Sequence, residues 1–310
     1  MATLLPASLG TPPFELPTTG SGPIAVDDGS ELRRIVINEF AAAVEAARDA
    51  VSRVDDGPAA AIRDYRKALR RARTILELVG SELPRGERRR VRRAVREARR
   101  AAGVARDQVV APEAVDLLTL EVAERETANA VLKSATQHTP AADEVTQALA
   151  VGAARAAAQV EVLEAALPEQ LRWSTLLAEV RARYRDARRA RKQAKRSTRA
   201  FHTWRKRCKE LGYQLQALAA YSGAATGELC RELQTAADTQ GEAVDLIMLR
   251  ELVQHHGDAV PRRALKGLVR EIDAQLADRI ALSREGARAA FRTKPKKFAR
   301  KLSAAVRAAS

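Results

Sequence analysis

The sequence predicts an all-α protein, and three observations lead to this prediction. Ala, Leu, Arg and Glu dominate the 310 residues, and these residues favour helices. No segment shows sustained alternation of apolar and polar residues between hairpin turns, which is the pattern of a β-strand. The segment from Phe201 to Leu218 instead places apolar residues at intervals of three and four, the spacing of a helix with one buried face.

Proline, glycine and capping residues mark the ends of the predicted helices in the first half. Residues 1–29 are rich in Pro, Gly, Thr and Ser and are predicted to form a flexible tail. Ser30 is predicted to cap a first helix that runs to about Arg53. Further helices are predicted from Pro58 to Gly80, after Pro84, from Pro112 to about Ala135, and over 141–166.

The second half is predicted to open with a long helix that begins at Pro168. The segment that contains Phe201 forms the next helix, and Gly223 and Gly227 predict a turn after it. The remaining helices are predicted over 228–238, over 242–256, from Pro261 to about Phe291, and from Pro295.

An internal repeat relates the two halves by a shift of 139 positions. Six apolar residues of the first half meet apolar or small residues of the second: Ile62 with Phe201, Tyr65 with Trp204, Leu69 with Cys208, Ala72 with Leu211, Leu76 with Leu215, and Val79 with Leu218. The basic residues beside them also coincide: Arg63 with His202, Arg66 with Arg205, Lys67 with Lys206, and Arg70 with Lys209. The repeat predicts two related helical bundles, one over about 30–167 and one over about 168–310.

The charge of the chain predicts an anionic partner. The net charge is +15 and the pI is near 10.4, with basic residues concentrated over 85–106 and 181–209, whereas 111–170 is net acidic. Helical spacing places two ladders on single faces, one of Arg85, Arg89, Arg92, Arg96 and Arg99, the other of Tyr184, Arg185, Arg188 and Lys192. Basic faces packed near one another repel unless an anion lies between them, so the ladders favour a repeating anionic polymer.

Neither the cysteines nor the hydropathy point to secretion or to a membrane. Cys208 and Cys230 form neither a disulfide framework nor a zinc-site spacing. No apolar run is as long as a membrane span, and the first residues lack the pattern of a secretory signal. The expectation is a cytoplasmic protein without a membrane partner.

Five sequence motifs resemble those of the CHAD family, the conserved histidine α-helical domain. The pattern HxxRKxxK at His202, Arg205, Lys206 and Lys209, followed by Tyr213, resembles the family signature. Its first-half counterpart is IRDYRKALRRAR, and three further motifs are ARDQVV at 105–110, YRDARRA at 184–190 and FRTKPKKFARKL at 291–302. The resemblance extends from about Ser30 to the last residue and keeps the order of the family motifs.

The resemblance implies a pseudo-two-fold pair of four-helix bundles with a basic groove or pore between them. It also implies binding of inorganic polyphosphate and, for some members, location at polyphosphate granules. At the positions that match the family motifs, the resemblance implies a polyphosphate-binding role for these residues: Arg66, Lys67, Arg70, Arg73, His202, Arg205, Lys206, Lys209, Tyr213, Lys294, Lys297 and Arg300. The predicted set is completed by Arg63, Arg89, Arg92, Arg96, Arg99, Arg106, Tyr184, Arg185, Arg188 and Lys192.

The chain departs from the family pattern at three places. The histidine expected in the first half is Arg63, Gly212 stands where the first half has Arg73, and the turn after the second motif reads DTQGE at 238–242. The loss of one histidine argues against a paired-histidine metal site or acid–base couple. It leaves electrostatic binding intact, because arginine stays charged at all physiological pH values.

Other functions are weighed against polyphosphate binding. A metal site at His202, His255 or His256 lacks a cluster of carboxylates or cysteines at ligand spacing. An enzyme is disfavoured because no Walker-type loop is present, and the two acids near the basic motifs that attract notice, Asp107 and Glu242, are expected to pair with arginines or to cap a helix. The sequence thus predicts a non-catalytic binding protein without a cofactor. Nucleic-acid binding through phosphate contacts stays open as the alternative, as does a solvated arginine face without a ligand.

Overall fold

The computed structural model describes residues 28–103, 115, 118, 120–135 and 142–309, and this part of the chain is helical without a β-strand, as predicted. The predicted tail falls, up to residue 27, outside the described residues. The α-helices are α1 Gly29–Val51, α2 Pro58–Leu78, α3 Arg85–Ala101, α4 Val122–Ala135, α5 Ala142–Ala157, α6 Gln159–Ala166, α7 Trp173–Gln193, α8 Thr198–Ala217, α9 Ala219–His256, α10 Arg262–Gly286 and α11 Pro295–Ala309.

Local capping explains where several helices begin. Asp28, rather than the predicted Ser30, caps α1, and its carboxylate accepts hydrogen bonds from the backbone amides of Ser30 and Glu31 at 3.0 and 3.2 Å. The Ser197 hydroxyl accepts one from the Ala200 amide at 3.2 Å and caps α8. These side chains satisfy amides that have no partner inside the helix. Pro58 occupies the first turn of α2, as predicted.

Three predicted boundaries are wrong because packing outweighs local sequence preference. The turn predicted at Gly223 and Gly227 and the break predicted between the helices over 228–238 and 242–256 are both absent, and α9 runs continuously for 38 residues. It contacts α8, α10, α11 and α4, and this burial offsets the roughly 1 kcal/mol that each helical glycine costs. The helix predicted from Pro168 begins at Trp173, because the preceding segment pairs with α1: the Leu171 amide donates to the Gly29 carbonyl at 2.9 Å.

Two further boundaries differ from the prediction. The helix predicted over 141–166 is divided at Ala158 into α5 and α6. The predicted fourth helix is observed as α4 from Val122, and Pro112, where it was predicted to begin, lies outside the described residues.

Eight of the described helices form two sets of four, and within each set the contacts close a ring. In the first set α1 contacts α2, α2 contacts α3, α3 contacts α5, and α5 contacts α1. In the second set α7 contacts α8, α8 contacts α9, α9 contacts α11, and α11 contacts α7. We call these rings bundle one and bundle two; α2 joins them by contacts with α8 and α7. The two-fold relation between them stays a prediction.

The apolar stripe of the repeat lies in the core. All twelve paired apolar residues between Ile62 and Leu218 are buried. Phe201 and Trp204 pack edge to face with ring centroids 5.7 Å apart. The stripe therefore fixes the rotation of α2 and α8 about their axes, and with it the direction of the basic residues that follow each stripe position.

Gly152 on α5 marks a close approach between three helices of bundle one, and we expect its replacement by alanine to destabilise the fold. An added methyl group would lie 2.4 Å from the Tyr65 hydroxyl and 3.1 Å from the Ala98 Cα. The Tyr65 hydroxyl also donates to the Ala98 carbonyl at 3.1 Å, so the ring cannot retreat without losing this bond. The expected cost is about 1–3 kcal/mol, measured by chemical denaturation.

The matched control is Gly86→Ala on α3, where an added methyl group meets nothing within 4 Å. This variant is expected to be neutral or slightly more stable, because alanine favours the helix. Equal effects of the two substitutions would contradict the close packing at Gly152.

Candidate anion-binding site

The basic faces of α2 and α8 meet where the two bundles join. α2 contacts α8, and the charges of Arg70 and Lys67 on α2 act on Lys209 on α8, as does the charge of the neighbouring Arg205. We call Lys67, Arg70, Arg205 and Lys209 the central basic cluster. The position of the bases beside the apolar stripe is thereby explained, because that edge of each helix faces the other bundle.

Lys209 occupies the most crowded position in the central basic cluster. Burial lowers the pKa of its ammonium group well below the usual value, and Arg205, Arg70 and Lys67 lower it further in that order. Burial also lowers the pKa of Lys67, partly opposed by Asp64. The folded protein therefore holds these ammonium groups against both desolvation and repulsion, and a bound anion would relieve both.

Tyr213 lies one helical turn after Lys209 and is buried beside the same guanidinium groups. Burial raises the pKa of its hydroxyl, and the charges of Arg70, Arg205, Arg71 and Arg99 oppose this change. Tyr213 thus lies beside the cluster, and its hydroxyl stays protonated at neutral pH.

Asp238 on α9 faces the cluster from the third side. Burial raises the pKa of its carboxyl group, and the charges of Lys209, Arg205 and Lys67 oppose this change. The amide of Gln234 donates a hydrogen bond to it at 2.5 Å. Asp238 therefore provides a single negative charge opposite several positive ones.

A buried glutamate holds three further arginines next to the cluster. The Glu210 side chain is only 8% exposed, and its oxygens lie 3.4 Å from Arg73, 3.2 Å from Arg183 and 2.8 Å from Arg207. These arginines belong to α2, α7 and α8, so the glutamate ties bundle one to bundle two. Lys206 points to the exposed side of α8, within the field of Glu210 and Arg73.

The remaining predicted residues of α2 and α3 extend from the cluster along bundle one. The Arg66 guanidinium donates to the Ala102 carbonyl just after α3 at 3.2 Å. Arg99 is half-buried, and its charge reaches Tyr213 and Lys206. Arg89, Arg92 and Arg96, on the same face of α3 as Arg99, are exposed, and Arg92 lies 3.4 Å from Glu77.

The predicted residues on α7 and α11 lie apart from the central basic cluster. α11 contacts α7 and α9, and it stands across bundle two from α8. Lys294, Lys297 and Arg300 are exposed on or just before this helix. On α7, Arg185 and Lys192 are exposed, and Arg188 donates to the Phe291 carbonyl at 3.0 Å.

Tyr184 requires a correction, because the structure places it in the core of bundle two. Its ring stacks on Phe298 with centroids 4.0 Å apart, and its hydroxyl lies 3.0 and 2.9 Å from the carbonyls of Ala290 and Thr293. Burial raises the pKa of this hydroxyl to about 12. We therefore do not retain Tyr184 among the residues that could contact a ligand.

Three predicted site residues remain: Arg63, His202 and Arg106. Arg63 and His202 are half-buried at paired positions one turn before the cluster residues of α2 and α8. Arg106, and with it Asp107, lies outside the described residues.

The sequence analysis missed five residues that shape the site: Arg71, Arg183, Arg207, Glu210 and Asp238. Arg71 pairs with Glu39 and acts on Tyr213. A signal for Glu210 was present, because it is the only acidic residue between Phe201 and Leu218. A single acidic residue within such a basic, partly buried segment indicates an ion pair inside the protein.

A comparison with models of protein families shows to which family this chain belongs. The model of the CHAD domain matches residues 36–254, which is more than half of the sequence. The chain belongs to the CHAD family. The matched range of this CHAD chain includes the central basic cluster and ends within α9, before α10 and α11.

A solved structure supports the same fold. The crystal structure of the CHAD domain from the plant Ricinus communis is similar to this chain with a TM-score of 0.59 and 18% sequence identity. The match covers 91% of this chain and 97% of the plant domain. Among curated proteins, none matches this CHAD chain. Within the described residues, no helix combines the length and the apolar character that crossing a membrane requires.

Proposed function

We propose that this CHAD chain binds inorganic polyphosphate through the central basic cluster, without catalysing a reaction. The observation that carries the proposal is the contact between α2 and α8, which brings the charges of Lys67 and Arg70 of bundle one close enough to act on Lys209 of bundle two, beside Arg205. Like charges at close range cost free energy in the absence of a ligand. A polyanion placed between them converts this repulsion into charge-assisted hydrogen bonds.

A polymer suits the surroundings of the cluster better than a single phosphate. Arg99 connects the cluster with the exposed guanidinium groups of Arg96, Arg92 and Arg89 along one face of α3. Successive residues of this ladder are about 5–6 Å apart on the helix surface. A flexible chain of phosphates can contact several of them at once, and each guanidinium can bind two oxygens.

The residues around the cluster support binding rather than phosphoryl transfer. Enzymes that transfer phosphoryl groups commonly hold metal ions with several carboxylates or position a nucleophile beside a base. In the ranges that the structure describes, no group of three or more His, Cys, Asp or Glu side chains is arranged to hold a metal ion. Of the carboxylates near the cluster, Asp238 acts on Lys209 and Lys67, and Asp64 acts on Lys67.

Direct binding of labelled long-chain polyphosphate over a series of salt concentrations tests this proposal. We expect tight binding at low salt and a steep linear fall of log affinity with log salt, because each phosphate contact releases a counterion. We expect tripolyphosphate to bind far more weakly than the long chain. Equal affinity for the two phosphates, or no binding at low salt, would refute the proposal.

Binding of polyphosphate is expected to take up protons at pH values between the pKa of Lys209 in the free protein and its higher pKa in the complex. The free protein loses the Lys209 proton at lower pH than usual, because burial and the neighbouring arginines lower its pKa. A bound anion favours the charged lysine and raises this pKa again. Between the two pKa values the complex holds more protons than the free protein, so affinity falls as the pH rises.

Calorimetry in buffers of different ionisation enthalpy measures this proton uptake. Lys209→Arg is the matched variant, because arginine keeps the charge but does not titrate in this range. We expect the variant to bind with less proton uptake, the remainder coming from Lys67, whose pKa is also lowered. Unchanged uptake in Lys209→Arg would show that Lys209 is not in contact with the ligand.

We further propose that this binding recruits the chain to polyphosphate granules. A fluorescent fusion should gather at granules in cells that accumulate polyphosphate and spread evenly in cells that lack the polymer. A fusion that carries alanine at Arg66, Arg70, Arg205 and Lys209 serves as the comparison, and granule location that survives these substitutions would contradict recruitment through the cluster.

A further inference from the structure

Bundle two carries a second basic feature, a groove between α7 and α11. The groove has a volume of about 1130 Å³. Its apolar lining comes from Leu177, Ala299 and Ala304. Its basic lining comes from Arg181, Lys296, Arg300 and Arg307. We call it the α7–α11 groove.

The four basic side chains of the α7–α11 groove have no acidic partner in the described part of the chain. Arg307 lies 3.2 Å from the Ser303 hydroxyl, and none of the four forms an ion pair with a described carboxylate. Exposed arginines elsewhere on this molecule frequently have such partners, as Arg288 has in Glu285. An apolar floor beneath unpaired cations fits a peptide that combines large apolar side chains with an acid.

The first 28 residues of the same chain contain such a peptide. They include Glu15, Asp27 and Asp28 but no Lys or Arg, whereas the whole chain has a net charge of +15. Residues 12–17 read PPFELP, in which Phe14 and Leu16 flank Glu15 between prolines. Prolines restrict the backbone torsions, which lowers the entropy lost when a peptide docks.

The position of α1 allows this peptide to reach the groove. The Gly29 carbonyl accepts a hydrogen bond from the Leu171 amide at 2.9 Å, two residues before α7 begins at Trp173. From Leu171 to Arg181 the distance along the helix is about 15 Å. The twelve residues between Leu16 and Gly29 can span up to about 40 Å.

We propose that residues 12–17 dock in the α7–α11 groove of their own molecule. Phe14 and Leu16 contact Leu177, Ala299 and Ala304, and Glu15 pairs with the basic rim. This inference is independent of polyphosphate binding through the central basic cluster, because none of the residues that line the groove belongs to that cluster.

Photocrosslinking of the full chain tests the docking. With p-benzoylphenylalanine in place of Phe14, we expect cross-links to 173–181 and 296–307 within single molecules, at a yield that does not depend on protein concentration. Reversing the rim charges by Arg181→Glu with Arg300→Glu should reduce the yield roughly tenfold. The same reversal at Arg262 and Arg263, exposed on α10, should leave the yield unchanged.

Three outcomes would overturn the proposal. Cross-links to other helices would place the peptide elsewhere, and cross-links between molecules alone would assign the groove to a second copy. A yield that is insensitive to reversal of the rim charges would remove the electrostatic basis. Circular dichroism of each variant establishes that the helices are retained, so a loss of yield cannot be confused with unfolding.

Discussion

Replacing Arg66, Arg70, Arg205 and Lys209 together by alanine is expected to abolish polyphosphate binding while the helical content stays intact. Each charge-assisted hydrogen bond to an anion contributes about 1.5–3 kcal/mol, so the four substitutions should lower affinity by at least about a thousandfold. The salt dependence of any residual binding should also become shallower, because fewer counterions are released. Fluorescence anisotropy with labelled polyphosphate and circular dichroism together measure both parts of this result.

The fold should tolerate these substitutions because three of the four residues repel one another in the free protein. The matched control removes four exposed bases from α10, which contacts neither α2 nor α8 through an extended interface. The control residues are Arg262, Arg263, Lys266 and Arg270. Both variants lose the same charge, so a similar drop in affinity in both would contradict a defined site and leave only the general positive field.

Glu210→Ala is expected to cause the largest loss of stability of any single substitution considered for the junction between the bundles. The glutamate is 8% exposed and pairs with Arg73, Arg183 and Arg207, whose side chains are 24%, 16% and 32% exposed. Breaking a buried ion pair by removing one partner leaves the other charge desolvated and unpaired. We expect a loss of about 3 kcal/mol in the free energy of unfolding, at the lower end of the usual range because the arginines retain some contact with water.

Urea denaturation of Glu210→Ala and of a surface control measures this effect. Glu45→Ala removes a glutamate that pairs with Arg48 at 2.9 Å, where both side chains are more than half exposed. Its expected cost is below about 1 kcal/mol. If the two variants lose the same stability, Glu210 does not connect the bundles in the way that its three ion pairs indicate.

The buried stripe and the repeat were predictable because both depend on short-range periodicity. A helix with apolar residues at intervals of three and four buries the face on which they lie. This spacing therefore predicts the burial that is observed for Ile62, Trp204 and Leu211. The neighbouring bases then had to lie at the edge of the core. The constraint holds in both halves, and the charge of Arg70 accordingly acts on Lys209 where α2 and α8 meet.

Other features depend on tertiary packing and could not be predicted locally. Gly223 and Gly227 are typical of a turn, yet α9 remains continuous because it packs against α8, α10, α11 and α4. The capping role of Asp28 was predicted for Ser30, since both residues favour this position. Helix boundaries within a residue or two are decided by such competition.

The sequence also could not show which of the predicted site residues lie near the central basic cluster and which lie apart from it. Helical phase shows that Arg300 and Lys297 lie on the outside of α11, but it does not show which side of the molecule α11 occupies. The contacts of α11 with α7 and α9 place these bases across bundle two from the cluster. The motif around Tyr184 predicted a ligand-binding residue, and only its stacking on Phe298 identified it as a core residue.

Competition between polyphosphate and DNA tests the central claim most directly. Labelled long-chain polyphosphate bound to the full chain is challenged with duplex and single-stranded DNA at equal phosphate concentration and at near-physiological salt. If the bases of α2 and α8 form a shaped site for a slender polyanion, polyphosphate stays bound in an excess of both DNAs. If DNA displaces polyphosphate equally well per phosphate, the positive field of the chain alone accounts for binding, and the claim of a polyphosphate site is contradicted.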